Sequence, residues 1–211
     1  MSSDTKHIYL VRHGQSRANA GGVFEGADSP LTPEGIAQAQ SVAERFSRIP
    51  IEIVLTSHMV RAEHTGRIIA ERNNVPMEVI EHAGEQLRQK EAYGVSKLDE
   101  RFKHFEQSLW NAFALGKDTE GAETFAQLQA RAVHVQGLLE QRPEQRIVLA
   151  THGNFLKFFM YHVLMQDLLT SQLMAAMSMR MRTKNTGITY FTFDSDKGWQ
   201  LHAWNDHAHL G

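Results

Sequence analysis

Residues 8–14 read Ile8-Tyr9-Leu10-Val11-Arg12-His13-Gly14: an apolar run that stops at two side chains able to carry positive charge, then a glycine. The pattern returns twice. Residues 51–55 run into Thr56-Ser57, and residues 147–150 run into Thr151-His152-Gly153. Continuous Ile/Val/Leu runs of this length suit strands buried on both faces, as in a parallel sheet. Residues 187–193 add an aromatic and β-branched run, and residues 199–204 a further strand.

Helical signals fall between the strands. Thr32-Pro33-Glu34 supplies an N-cap, a proline at the first helical position and an acid in the first turn; Ile36, Ala39, Ala43 and Phe46 follow at helical spacing. Met59, Ala62, Gly66 and Ile69 mark a second helix. Phe125, Leu128, Ala132, Val135 and Leu139 mark a third, with the cleanest amphipathic stripe in the chain. Residues 155–164 and 168–179 read as two more. Their methionines are expected in the core or in a subunit contact, which leaves a homodimer as one expectation. This alternation predicts an α/β protein: a three-layer α/β/α sandwich with a mostly parallel central sheet. The 211 residues are expected to form one domain, 1–211, with the polar, aromatic-bearing segment 83–120 as a cap or loop over the site.

Composition narrows the function classes. The chain has no cysteine, which excludes a disulfide scaffold, Cys-bound zinc, an iron–sulfur cluster and a thiol nucleophile. Its formal charge of −2, from 22 basic and 24 acidic residues, argues against nucleic-acid binding through bulk charge. No apolar stretch approaches the ~18 residues of a membrane span. The polar N-terminus lacks the apolar core of a secretory signal, so a cytoplasmic location is expected.

In an open parallel sheet, ligands bind outside the carboxyl ends of the strands. Here those ends deliver Arg12 and His13, then Ser57 with Arg61 one helical turn on, then His152. Two arginines and two histidines at one rim want an anion. Guanidinium N–H groups match phosphate oxygens bidentately, and helix N-termini add backbone donors. Gly14 and Gly153 each follow a histidine, where a Cβ would obstruct close backbone approach. Neither a G-x-S-x-G elbow nor a phosphate-binding G-x-x-x-x-G-K-[ST] loop is present. Histidine can itself attack phosphorus, provided one ring nitrogen is unprotonated. Neighbouring positive charges disfavour the imidazolium and also stabilise the transferring phosphoryl group.

Arg12-His13-Gly14-Gln15-Ser16, followed by Asn19, resembles the signature of the histidine phosphatase superfamily in its phosphoglycerate mutase-like branch. The resemblance continues through Phe24-Glu25-Gly26-Ala27-Asp28 and Leu31-Thr32-Pro33-Glu34-Gly35. It resumes at Thr56-Ser57-His58-Met59-Val60-Arg61-Ala62-Glu63-His64-Thr65, at Thr151-His152-Gly153-Asn154, and at Asn205-Asp206 with His209-Leu210. It implies a phosphoglycerate mutase-like fold and a phosphatase of the histidine acid type, a phosphoric monoester hydrolase. His13 would be phosphorylated during turnover and the phosphohistidine then hydrolysed by water. Arg12, Arg61 and His152 would hold the phosphoryl group, with Asn19 and the backbone at Gly153 contributing. It also implies a small phosphorylated substrate, no cofactor, no metal, and neither a nucleic-acid nor a membrane partner.

The chain departs from the family at the proton donor, usually a Glu in Leu-x-Glu-x-x-x-Gly. Leu87-Arg88 is followed by Gln89, and four residues before Gly94 stands Lys90. Glu91 is the first candidate for the acid, Glu85 the second, and absence of any acid the third. The paired-arginine segment of the glycolytic mutases is not found; residues 95–101 read as the start of a polar helix. Phosphatase is therefore preferred. The alternatives are a phosphoglycerate mutase, a non-catalytic phospho-ligand binding protein and a phosphoprotein phosphatase. Tyr93, Phe102, Phe105 and Trp110 are expected at the substrate mouth or in the core. His58 and His64 flank Arg61, with His58 an exposed first-turn residue. His202, His207 and His209 are expected in structural or surface roles.

Overall fold

The computed structural model describes residues 5–211 apart from Glu25 and Met179, so the Glu25 position of the family resemblance and the end of the helix expected over 168–179 lie outside the described residues. Six strands form one sheet in the order β3-β2-β4-β1-β5-β6. They are β1 (Lys6–Arg12), β2 (Ile53–Ser57), β3 (Met77–Ile80), β4 (Arg146–Thr151), β5 (Ile188–Asp194) and β6 (Gly198–Asp206). β3, β2, β4 and β1 run parallel; β5 and β6 add an antiparallel edge.

The apolar runs are buried on both sides. Ile8 and Leu10 of β1, Ile53 and Leu55 of β2, and Ile147 and Leu149 of β4 enter one core cluster. The alternating residues Val11, Val54 and Val148 enter the other. Burying each such side chain contributes about 1.5–3 kcal/mol, so these three strands are tied to the centre of the sheet. Helices α2 (Pro33–Phe46) and α3 (Val60–Asn73) cover one face. Helices α4 (Glu100–Ala114), α5 (Phe125–Gln141), α6 (Gly153–Met165) and α7 (Ser171–Ser178) cover the other. This is the expected three-layer sandwich.

Local chemistry explains the element starts. Thr32 caps α2 by accepting from the Gly35 N–H at 3.0 Å, with Pro33 at its first position. Thr124 and Gln127 cap α5 reciprocally. A short helix between β1 and α2, here α1 (Arg17–Gly21), is capped the same way by Ser16 and Asn19. Sequence reading missed it because five residues carry no apolar period. It also missed β3, a four-residue edge strand with two exposed side chains. The helix expected over 168–179 starts later, as α7 at Ser171, after a turn at Gln166–Leu168.

Two glycines let the His13 loop rest on the first turn of α2. A Cβ on Gly14 would meet the Gly35 carbonyl oxygen, and a Cβ on Gly35 would overlap the Gln15 carbonyl oxygen. Backbone cannot yield as a flexible side chain does. Gly35→Ala is expected to cost about 1–3 kcal/mol of overpacking strain. At about 2–4 °C per kcal/mol for a chain of this size, scanning calorimetry should show the melting midpoint falling by roughly 2–12 °C. An unchanged midpoint would mean that the loop relaxes freely.

Candidate active site

The sheet brings the expected residues to one rim. Arg12 at the end of β1 stands opposite Thr151 at the end of β4, and Thr56 of β2 pairs with Ala150. His13, Ser57 and His152 each end or follow one of these adjacent strands. Arg61 enters from the first turn of α3.

His13 is 3% exposed. Its Nδ1 lies 2.7 Å from the Gly14 carbonyl oxygen, which can only accept, so Nδ1 carries the proton. Nε2 is then the unprotonated nitrogen, and it accepts from the Arg61 Nε–H at 3.2 Å. Burial, then the Arg61 and Arg12 charges, hold the imidazole well below the usual histidine range, against the opposing Gly14 hydrogen bond; Lys97 adds to the depression. His152 is fully buried, its ring centroid 5.1 Å from that of His13. Its Nε2 pairs with Ser57 Oγ at 2.9 Å. Burial first, then His13 and the two arginines, keep it well below its ordinary value too.

Arg61 also donates from Nη1 to the Gly26 carbonyl at 2.8 Å. Arg12 donates from Nη1 to the Thr183 carbonyl at 2.6 Å, and its Nη2 reaches Asn19 Oδ1 at 3.5 Å. Asn185 Nδ2 donates to the same Asn19 oxygen at 3.1 Å and to the His13 carbonyl at 2.9 Å. Asn19 thus orients Arg12 as well as lining the cavity. Among the described residues, Arg12 Nε and His152 Nδ1 are buried without a hydrogen-bond partner. An unpaired buried polar atom costs about 1–3 kcal/mol, and phosphoryl oxygens beside His13 would remove that cost. Gly153 opens α6 here, where a Cβ would come within 2.9 Å of Thr183 Oγ1.

A cavity of about 400 Å³ opens over this cluster, lined by Arg12, His13, Asn19, Phe24, Arg61 and Gly153 among others. The two glutamates expected as the acid stand differently to it. Glu91 is exposed in a 3-10 turn, Lys90–Ala92, outside the cavity lining. Glu85 lines the cavity. It is held on the first turn of α6, its Oε1 accepting from the Asn154 and Phe155 N–H groups, each at 3.1 Å.

From the segment 83–120, Glu85 and Lys97 line the cavity. Gly94 N–H donates to the Phe24 carbonyl at 2.6 Å and Lys97 N–H to the Gly22 carbonyl at 2.6 Å, stitching the cap to the Asn19 loop. Arg88 sits between the rings of Phe24 and Trp110, at 5.5 and 5.4 Å, and pairs with Glu106 at 3.1 Å. Phe24 provides the aromatic cavity wall, whereas Tyr93, Phe102, Phe105 and Trp110 pack outside it. The polar helix read from residue 95 begins later, at Glu100.

The three C-terminal histidines each pair within the C-terminal strands and turn rather than with one another. His202 pairs with Thr192, His209 with Thr186 and His207 with the Asn205 carbonyl. No group of three or more His, Asp or Glu among the described residues could hold a metal ion. His58 is exposed and outside the cavity lining. Three cavity cations escaped sequence reading: Lys97, Lys157 and Arg182. For Lys157 a signal existed, since it is the lone charge in the apolar run Phe155-Leu156-Lys157-Phe158-Phe159.

The profile of the histidine phosphatase superfamily (branch 1) matches residues 8–207, nearly the whole chain. The chain belongs to that superfamily. Among histidine phosphatases and their relatives, it is 28% identical over 162 residues to the adenosylcobalamin/alpha-ribazole phosphatase of Escherichia coli (strain K12), covering 71% of this chain and 74% of that one. It is 29% identical over 213 residues to a protein named probable phosphoglycerate mutase GpmB from Enterobacter sp. (strain 638), covering 96% and 94%. A crystal structure of a phosphoserine phosphatase variant from Entamoeba histolytica, bound to phosphoserine, superposes with a TM-score of 0.76 at 25% identity, covering 98% of this chain and all of that one (100%). Among the described residues, no helix of this histidine phosphatase is long and apolar enough to cross a membrane.

Proposed function

We propose that this protein is a metal-independent phosphatase that hydrolyses small phosphomonoesters through a phosphohistidine on His13. The observation that carries this reading is the His13 imidazole: Nδ1 is protonated against the Gly14 carbonyl, and Nε2 is unprotonated beside Arg61. Arg12, Arg61 and His152 bind the phosphoryl oxygens, with Asn19 and the backbone at Gly153 contributing. In the first step the Nε2 lone pair forms a bond to phosphorus. The phosphorus–ester oxygen bond breaks, and its electron pair leaves with that oxygen, which takes a proton from Glu85. Water then attacks the phosphohistidine and gives its proton to the Glu85 carboxylate. The P–N bond breaks, inorganic phosphate leaves, and Nε2 recovers its lone pair. Arg61 can pass its Nε–H from His13 to a phosphoryl oxygen as the substrate arrives, freeing the nucleophile as it neutralises the charge.

Glu85 on the cavity wall removes the main support for a non-catalytic binding protein, which was the lack of an acid at positions 89 and 90. Likeness to the mutase-named relative keeps one other reading in the test, transfer of the phosphoryl group back to product.

Phosphate release from p-nitrophenyl phosphate in EDTA tests both. Steady release is expected, whereas a strict mutase or a binding protein gives none. Protonation of His13 would remove the nucleophile, so activity falls as pH drops through its pKa. Because that pKa is lowered well below 6.5, the acid limb of kcat/KM is expected below pH 6.5. A limb centred at or above that pH would contradict the proposed electrostatics.

A further inference from the structure

Glu85 sits on no helix or strand. It lies between two 3-10 turns, Glu81–Ala83 and Lys90–Ala92, so other parts of the fold must fix its backbone. Arg131 of α5 is the centre of those ties. Its Nη1 donates to the His82 carbonyl at 2.7 Å and to the Gly84 carbonyl at 2.9 Å. Its Nε and Nη2 grip the two carboxylate oxygens of Glu123 at 2.6 and 2.7 Å. Glu123 is 6% exposed. It accepts the Leu87 N–H on Oε2 at 3.3 Å, and its own N–H donates to the Leu87 carbonyl at 3.1 Å. The pair therefore holds the chain on both sides of Glu85. Thr151 Oγ1 adds a bond to the Ala83 carbonyl at 2.7 Å.

The same guanidinium lies over the Phe155 ring, 4.9 Å from its centroid. Phe155 is one of the two residues whose N–H groups hold the Glu85 carboxylate. One planar group thus touches the backbone leading into Glu85 and the residue that receives its side chain. Only arginine suits this place. Its fork grips a carboxylate along one edge while the remaining nitrogen serves two carbonyls, which a lysine ammonium cannot do together. Neither Arg131 nor Glu123 lines the cavity, so neither is placed to touch substrate.

We infer that Arg131, seated on Glu123, is a positioning residue for proton transfer: it fixes the loop so that the Glu85 carboxyl faces the cavity. This rests on the reading of Glu85 as the proton donor.

Arg131→Lys tests it, because it keeps a cation beside buried Glu123 while losing the fork. Rates are compared on glycerol phosphate, whose leaving group needs the acid, and on p-nitrophenyl phosphate, whose leaving group needs little. A displacement of about 1 Å can cost about 10²-fold, so kcat on glycerol phosphate should fall roughly 10–100-fold. On p-nitrophenyl phosphate kcat should change little, and KM should hold on both. In a Glu85→Gln background the same substitution should add almost nothing on glycerol phosphate, since the acid is already gone. A merely structural role would lower both substrates alike, and that result, an undiminished kcat on glycerol phosphate, or an additive loss in the double variant overturns the inference. Should Arg131→Lys fail to fold, Glu123→Gln decides. It keeps Arg131 with a weakened seat, and must show the same selective loss in smaller measure; equal losses overturn the inference there too. If Glu85→Gln is selective and Arg131→Lys is not, the inference alone falls. If Glu85→Gln itself loses equally on both substrates, the acid assignment falls and takes the inference with it.

Discussion

Replacing His13 by alanine is expected to cut phosphate release from p-nitrophenyl phosphate by at least about 10⁴-fold, since removing a covalent nucleophile eliminates the catalysed pathway. The fold should survive. His13 makes its side-chain hydrogen bonds within the site, to the Gly14 carbonyl and Arg61, and the strand before it is held by β4 and β5. Circular dichroism and the melting midpoint check that survival. Rapid alkaline quench of the wild type with labelled ester should trap phosphate on protein as an acid-labile, alkali-stable adduct. His13→Ala should trap none. A variant that keeps a tenth of the activity would remove His13 from the nucleophile's role.

Glu85→Gln is expected to lower kcat on an alkyl phosphate by about 10²–10⁴-fold, the usual value of a positioned general acid. On p-nitrophenyl phosphate, whose leaving group needs little protonation, the loss should be much smaller. The amide oxygen can still accept the Asn154 and Phe155 N–H groups, so the first turn of α6 keeps its partner and a structural loss is not the expected cause. Glu91→Gln, at an exposed position outside the cavity, should leave both substrates unchanged. Equal losses on both substrates for Glu85→Gln would assign that residue to architecture rather than proton transfer.

The contrast between these two glutamates shows where sequence reading stops. Glu91 is closer to the family's spacing before Gly94, and spacing along the chain was the available guide. Glu85 reaches the cavity because the loop after β3 bends onto the start of α6, where N–H groups 69 and 70 residues downstream fix its carboxylate. Nothing local to residues 85–91 encodes that meeting. The same holds for Phe24, which forms the aromatic wall, while the tilted rings of Tyr93 and Phe102 pack against it at 6.0 and 5.8 Å.

What the sequence determined alone is the sandwich and the four residues at its rim. Three short Ile/Val/Leu-rich runs bounded by Thr, Ser, His and Gly suit strands covered on both faces, and the residue after each such strand emerges at the carboxyl edge. Arg12, His13 and His152 are therefore placed by strand length, and Arg61 by the helix that follows Ser57. The tertiary structure decided which acid faces the cavity and which cations crowd it. Those depend on segments far apart in the chain meeting above the sheet. Lys157 lies on α6, and Lys97 and Arg182 lie on two separate loops, so only packing brings their charges to one wall.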